Sequence, residues 1–209
     1  SIYYFNYRPY RAAQLFPLRG TNLETFMSQA QTSFNTFPPL ATLGRQIMLD
    51  TIIQNWDIAS SETQSLLLQQ MRIEGEAATR SEPHNARLYL SLARLFQQAG
   101  KSDDTFIPVA RLFVDRTEEL APGLPQSITV VVNQKAAEGD YEEALSMIWE
   151  FVPTPLVYGQ LYPTMLDVRE KLISEIGWGE YNCRWYKKFD ITLEQRAKGL
   201  TSYPGVVCP

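Results

Sequence analysis

Apolar residues at three- and four-residue intervals, broken repeatedly by Pro, Gly, Asp or Ser, run through most of this chain and restrict it to helices. From Leu40 onward, Leu43, Ile47, Met48, Ile52 and Trp56 share one helical face. Ser61 followed by Gln64 reads as a capping box, and Leu67, Leu68, Met71 and Ala78 carry the next stripe. Pro83 suits a helix start, because its missing N–H falls where no intrahelical bond is made. The following helix turns Leu88, Leu92, Leu95, Phe96 and Ala99 inward, and Gly100 is placed to stop it. Asp103 or Asp104 caps another helix with Pro108 in its first turn. Val109, Leu112, Phe113 and Leu120 continue its face up to Ala121-Pro122-Gly123.

The run from Ile128 to Val132 is β-branched and has strand propensity, yet Ser127 before it and Gln134 to Glu138 after it read as helix. An isolated strand would have nothing to pair with, so a buried helix is the expectation. Asp140 and Glu143 form a second capping-box pattern ahead of Leu145, Ile148, Trp149 and Val152. A last helix is expected between Leu156 and Ile176. Pro163 inside it implies either a start after the proline or a kink. The ends differ. Residues 1–18 are rich in Tyr, Phe and Arg, and residues 177–209 contain Gly177, Gly179, Gly199, Pro204, Gly205 and Pro209. The expected organisation is an entry segment over 1–18, a helical domain over 19–176 and an irregular tail over 177–209 packed on it.

Composition narrows function more than fold. With 19 basic and 23 acidic residues the net charge is −4, against the basic excess of a generic nucleic-acid binder. No apolar run approaches the roughly 18 residues that span a bilayer. One histidine and two cysteines leave almost no material for a metal site or a histidine-based catalytic centre, so neither cofactor nor metal is expected. Ser1 stands where a methionine would begin a full chain, which suggests a processed chain or an excised domain.

The segment Ala136-Ala137-Glu138-Gly139-Asp140-Tyr141-Glu142-Glu143-Ala144-Leu145 resembles the inter-helix turn of a tetratricopeptide repeat. Leu92-Ala93, Phe96 and Ala99-Gly100 repeat the pattern of its first helix. Gly139 follows Gly100 by 39 residues, against about 34 in the standard repeat. The resemblance implies an all-α, tetratricopeptide-like helical repeat of irregular period. Such folds leave a grooved face for peptides or partner proteins.

A second resemblance lies upstream. Asn6-Tyr7-Arg8-Pro9-Tyr10-Arg11-Ala12-Ala13 leads to Asn22-Leu23-Glu24-Thr25-Phe26, then Ala30, Phe34-Asn35-Thr36-Phe37 and Gly44-Arg45-Gln46. Over roughly residues 6–56 this is similar to the soluble C-terminal region of O-antigen ligase/polymerase-like (Wzy-type) membrane proteins. Pro38-Pro39 stands where that family has a glycine and an acidic residue. The resemblance implies a parent membrane glycosyltransferase of O-antigen or exopolysaccharide biosynthesis in bacteria, whose catalytic residues lie outside this chain. It further implies a membrane-attached, periplasmic domain that positions a lipid-linked saccharide or organises protein partners. Tyr3, Tyr4, Phe5, Tyr7 and Arg8 would then follow the last membrane helix.

Few residues offer chemistry of their own. His84 is the sole imidazole base, at an expected helix start where exposure is ordinary. Cys183 and Cys208, 25 residues apart, are expected to bridge, given the extracytoplasmic side that the resemblance implies. Arg80, Arg87 and Arg94 recur every seven residues and suggest either an anionic-ligand face or a solvated row of ion pairs. Arg184-Trp185-Tyr186-Lys187-Lys188-Phe189 suits a membrane interface, sugar stacking or simple packing on the helical body. A free-standing helical-repeat adaptor is the alternative function. A stand-alone hydrolase would require a deep pocket with convergent carboxylates.

Overall fold

The computed structural model describes residues 7–15, 23–37, 41–151 and 155–186, and these form an all-α chain with no strand among them. None of their helices is long and apolar enough to cross a membrane. The chain divides into two compact units, Ser1–Leu120 and Ala121–Pro209. The boundary lies at the Ala121-Pro122-Gly123 punctuation, inside the 19–176 span expected as one domain.

The first unit contains α1 (Arg8–Leu15), α2 (Leu23–Thr36), α3 (Ala41–Gln54), α4 (Ser61–Ser81), α5 (Ala86–Gly100) and α6 (Ile107–Leu120). Its core joins Ala30 and Phe34 of α2, Met48, Leu49 and Ile52 of α3, Leu67 and Met71 of α4, and Leu88, Leu92 and Leu95 of α5. Burying each of these side chains other than Ala30 contributes about 1.5–3 kcal/mol. Helices α5 and α6 clamp together through rings: Phe96 stacks on Phe113 at 5.4 Å and on Phe106 at 6.1 Å. A β-carbon on Gly75 of α4 would stand 3.0 Å from Leu92 Cδ2, so the missing side chain there sets the close approach of α4 to α5.

Several details differ from the sequence expectations. Ser60, not Ser61, caps α4, its Oγ accepting from the Thr63 N–H. Pro83 lies in a turn rather than at a helix start. Asn85 caps α5, accepting from the Leu88 N–H at 3.2 Å. Gly100 is the last residue of α5, so the helix does stop there as expected, and a β-carbon on it would stand 3.2 Å from Ile107 Cγ1. Asp103 does cap the short 3-10 turn Asp104–Phe106 before α6.

Leu43 is 58% exposed and Ile47 44% exposed, although their spacing predicts an inward face. The polar partners of α3 set its rotation. Arg45 reaches Glu74 on α4 and Gln46 reaches Ser91 on α5, which turns positions 43 and 47 toward solvent. On α6, Leu112 is 69% exposed because the helix buries Ala110, Val114 and Thr117. Two residues separate Leu112 from Ala110, about 200° of helix rotation.

The second unit contains α7 (Pro125–Ala137), α8 (Tyr141–Phe151), α9 (Pro155–Ile176) and α10 (Trp178–Tyr181), followed by a π-turn at Asn182–Tyr186. The β-branched run is helix, as expected, and Val130 and Val132 are fully buried. Gly139 ends α7 with φ +84°. The Asp140 N–H bonds back to Lys135 O at 2.9 Å and the Gly139 N–H to Ala136 O at 3.3 Å, the paired bonds of a Schellman motif. Ala144, Leu145 and Ile148 of α8 then pack with Leu161, Val168 and Leu172 of α9.

Helix α9 runs from Pro155 to Ile176 with Pro163 inside it, so of the two alternatives the start after the proline is not found. The missing proline N–H leaves the Gly159 carbonyl, one turn earlier, without its intrahelical donor. The irregular stretch expected from residue 177 instead begins with helical turns. Gly177, at φ +82°, redirects the chain, and Tyr181 and Trp185 insert into the core.

Candidate functional site

Three polar assemblies stand out, two in the first unit and one in the second. In the first, α3 and α5 meet along a polar seam. Residues 87, 91, 94 and 98 fall on one stripe of α5, at steps of four, three and four. Asp50 of α3 is the hub. Its Oδ1 accepts from Ser91 Oγ at 3.0 Å and from Gln46 Nε2 at 3.2 Å, and its Oδ2 faces Arg87 Nη2 at 3.4 Å. Gln46 Nε2 also donates to Ser91 Oγ, while its Oε1 is buried without a hydrogen-bond partner. Farther along, Gln98 Nε2 donates to Asp57 Oδ1 at 2.7 Å. Arg94 sits between these contacts, half-buried. Burial lowers its pKa and the charge of Asp50 works in the opposite direction.

A second interlock lies on the other side of α3. Arg45 Nε donates to Glu74 Oε2 at 2.8 Å, Gln70 Nε2 to Glu74 Oε1 at 3.2 Å, and the guanidinium lies 5.3 Å from the Phe34 ring centre. Both charged side chains are largely buried. A pair so enclosed fixes the register of α2, α3 and α4.

In the second unit a cleft of about 330 Å³ opens where the α7–α8 turn meets the end of α9. Asp140, Glu142, Glu143 and Glu175 surround it, with Leu172 and Ile176 as apolar wall. Three of the four carboxylates are engaged. Lys135 Nζ lies 2.7 Å from Glu143 and 3.5 Å from Asp140, and Arg184 Nη1 lies 2.9 Å from Glu142. Glu143 therefore takes part in tying the turn to α7.

The residues singled out by sequence are scattered. Arg80 lies on α4, pairing with Glu76 at 3.1 Å, whereas Arg87 and Arg94 lie on α5 beyond a break at residues 82–85. The expected single row of three arginines is therefore two separate groups. His84 is exposed in that break, and α5 begins only at Ala86. Cys183 is disulfide-bonded, so it offers no thiolate for a dyad with His84. Cys208 lies outside the described residues, as do Tyr3, Tyr4 and Phe5 and the Lys187-Lys188-Phe189 end of the basic–aromatic segment. Within that segment Trp185 is core and Arg184 is tied to Glu142 and Glu180, which favours its packing role. Tyr7 and Tyr10 are exposed at the start of α1, and Arg8 is half-buried.

Sequence reasoning missed Asp50, Gln46 and Glu74. Each is a polar residue on the apolar side of a helix, and that intrusion is the signal that would have found them. No group of His, Cys, Asp or Glu among the described residues is arranged to hold a metal ion. Compared with known proteins, the chain matches no family model, no curated protein and no solved structure.

Proposed function

We propose that this chain is a non-catalytic, tetratricopeptide-like docking domain of a membrane-bound O-antigen or exopolysaccharide polymerase or ligase, placed on the periplasmic side. In this reading it organises protein partners or holds a lipid-linked saccharide beside the catalytic site of the parent enzyme. The observation that carries the helical-repeat part is the α7–α8 hairpin. Gly139 adopts the left-handed conformation at the turn, and Ala144 is fully buried, as close packing of the second helix requires.

The glycan-enzyme part rests on the resemblance over residues 6–56. Ala12, Ala30, Phe34 and Phe37, all within the quoted motifs, are buried, and Ser33 Oγ donates to Ala12 O at 2.7 Å to join α1 to α2. Those motif positions thus have a structural duty in this chain.

Deleting residues 41–176 from the full-length parent protein tests the proposal. The expected result is altered glycan length or transfer efficiency, with the parent still inserted in the membrane. Unchanged glycan products would overturn it.

A further inference from the structure

We propose that Arg94, together with Arg87 two turns away on the same stripe of α5, receives an oxyanion, a phosphate or carboxylate group, at the α3–α5 seam. Arg94 makes no hydrogen bond or ion pair with any described residue, although it is half-buried. Its neighbours on the stripe are already committed: Ser91 donates to Asp50 and Gln98 donates to Asp57. Its five N–H donors are therefore unpaired in a partly desolvated place, the setting in which a bidentate oxyanion is held best.

Arg87 completes the site. It is exposed and touches Asp50 through one nitrogen only, at 3.4 Å, leaving its other donors available. Seven residues of helix separate the two Cα atoms by about 10.5 Å, within the combined reach of two arginine side chains. Asp50 supplies one negative charge against two positive ones, and its Oδ1 is held by Gln46 and Ser91. With Asp57 at the far end of the seam the two arginines are balanced by two carboxylates, so the unpaired donors of Arg94 rather than an excess of positive charge would hold the anion. Arg80, expected from sequence to share this role, is on α4 and neutralised by Glu76. The inference stands on the seam alone and does not depend on the parent enzyme proposed above.

The test is an NMR titration of the full 209-residue chain, following the arginine Nε–Hε signals at constant ionic strength. Chloride is replaced by inorganic phosphate in one arm and by glucuronate in the other. Saturable shifts of the Arg94 and Arg87 signals are expected in at least one arm, and the tighter arm names the source of the oxyanion. Arg94→Gln should weaken binding at least tenfold, Arg94→Lys less, and Arg80→Gln not at all. Asp50→Asn, which removes the opposing carboxylate, should tighten it several-fold. Circular dichroism confirms that each variant keeps the wild-type helicity. Linear, non-saturating shifts in both arms, or an Arg94→Gln protein that binds as tightly as wild type, would overturn the assignment.

Discussion

Truncating Leu92 to alanine opens a cavity at the junction of α4 and α5, and the structure says how a second substitution should refill it. Leu92 is fully buried, so its truncation is expected to cost about 2.7–5.0 kcal/mol, as for other core leucines. Gly75 faces it: a β-carbon there would meet Cδ2 at 3.0 Å, Cδ1 at 3.5 Å and Cγ at 3.9 Å. In the wild-type background, Gly75→Ala gains about 1 kcal/mol of helix propensity and loses a similar amount by displacing the leucine tip, leaving a net change near zero. In the Leu92→Ala background all three opposing atoms are gone. The same substitution should then stabilise by about 1–2 kcal/mol, combining helix propensity with one refilled methyl at about 0.8 kcal/mol. The double-mutant cycle is read from urea denaturation followed by circular dichroism. A coupling energy of about 1 kcal/mol is expected. Additivity within about 0.5 kcal/mol would refute the claim that Gly75 is kept small by Leu92.

Glu74→Ala leaves Arg45 largely buried without its partner and should cost about 3–5 kcal/mol; Glu74→Gln, which keeps an acceptor, should cost less, and urea midpoints rank the two. Gly139→Ala should cost about 1–2 kcal/mol from backbone strain alone, since φ is +84° and a β-carbon meets nothing within 4 Å. Gly159→Ala, in open space within α9, should cost nothing and gain up to about 1 kcal/mol, a contrast visible in thermal melts. The Thr105 hydroxyl, and then its backbone N–H, hold the Asp103 carboxyl below its usual pKa. That depression favours the folded state above about pH 4 and is lost as pH falls through the lowered pKa. Thr105→Ala should return the Asp103 midpoint part of the way toward its ordinary value in a carboxyl NMR titration, because the N–H bond remains.

Helix positions were legible because the apolar period and the breakers agree with each other along most of the chain. The Ile128–Val132 run shows why local propensity alone was insufficient: its β-branched side chains are accommodated in α7 because nearly all of them are buried, and burial outweighs a few tenths of a kcal/mol of propensity. Helix rotation was less legible. Leu43 and Ile47 fit the spacing of a core face, yet Arg45 and Gln46 decide the orientation through partners 29 and 45 residues away. Long-range polar pairing of that kind leaves no periodic trace. The arginine row failed for a related reason. A seven-residue spacing marks one face only within one helix, and the turn at residues 82–85 separates Arg80 from the other two. The Gly139 turn itself was readable, because a left-handed glycine followed by an acidic helix start is encoded locally, but the expected Asp140–Glu143 capping box is not formed: both carboxylates pair with Lys135 instead.

The most direct test of the functional proposal is the length and hydropathy of the uncut polypeptide that carries this sequence in its native membrane fraction, read by intact mass and gene sequence. The proposal predicts about ten apolar helices of roughly 20 residues each upstream of residue 1, with a reporter fused to the C-terminus active on the periplasmic side. A short secreted precursor ending at the same residue would contradict it and favour a free-standing helical adaptor.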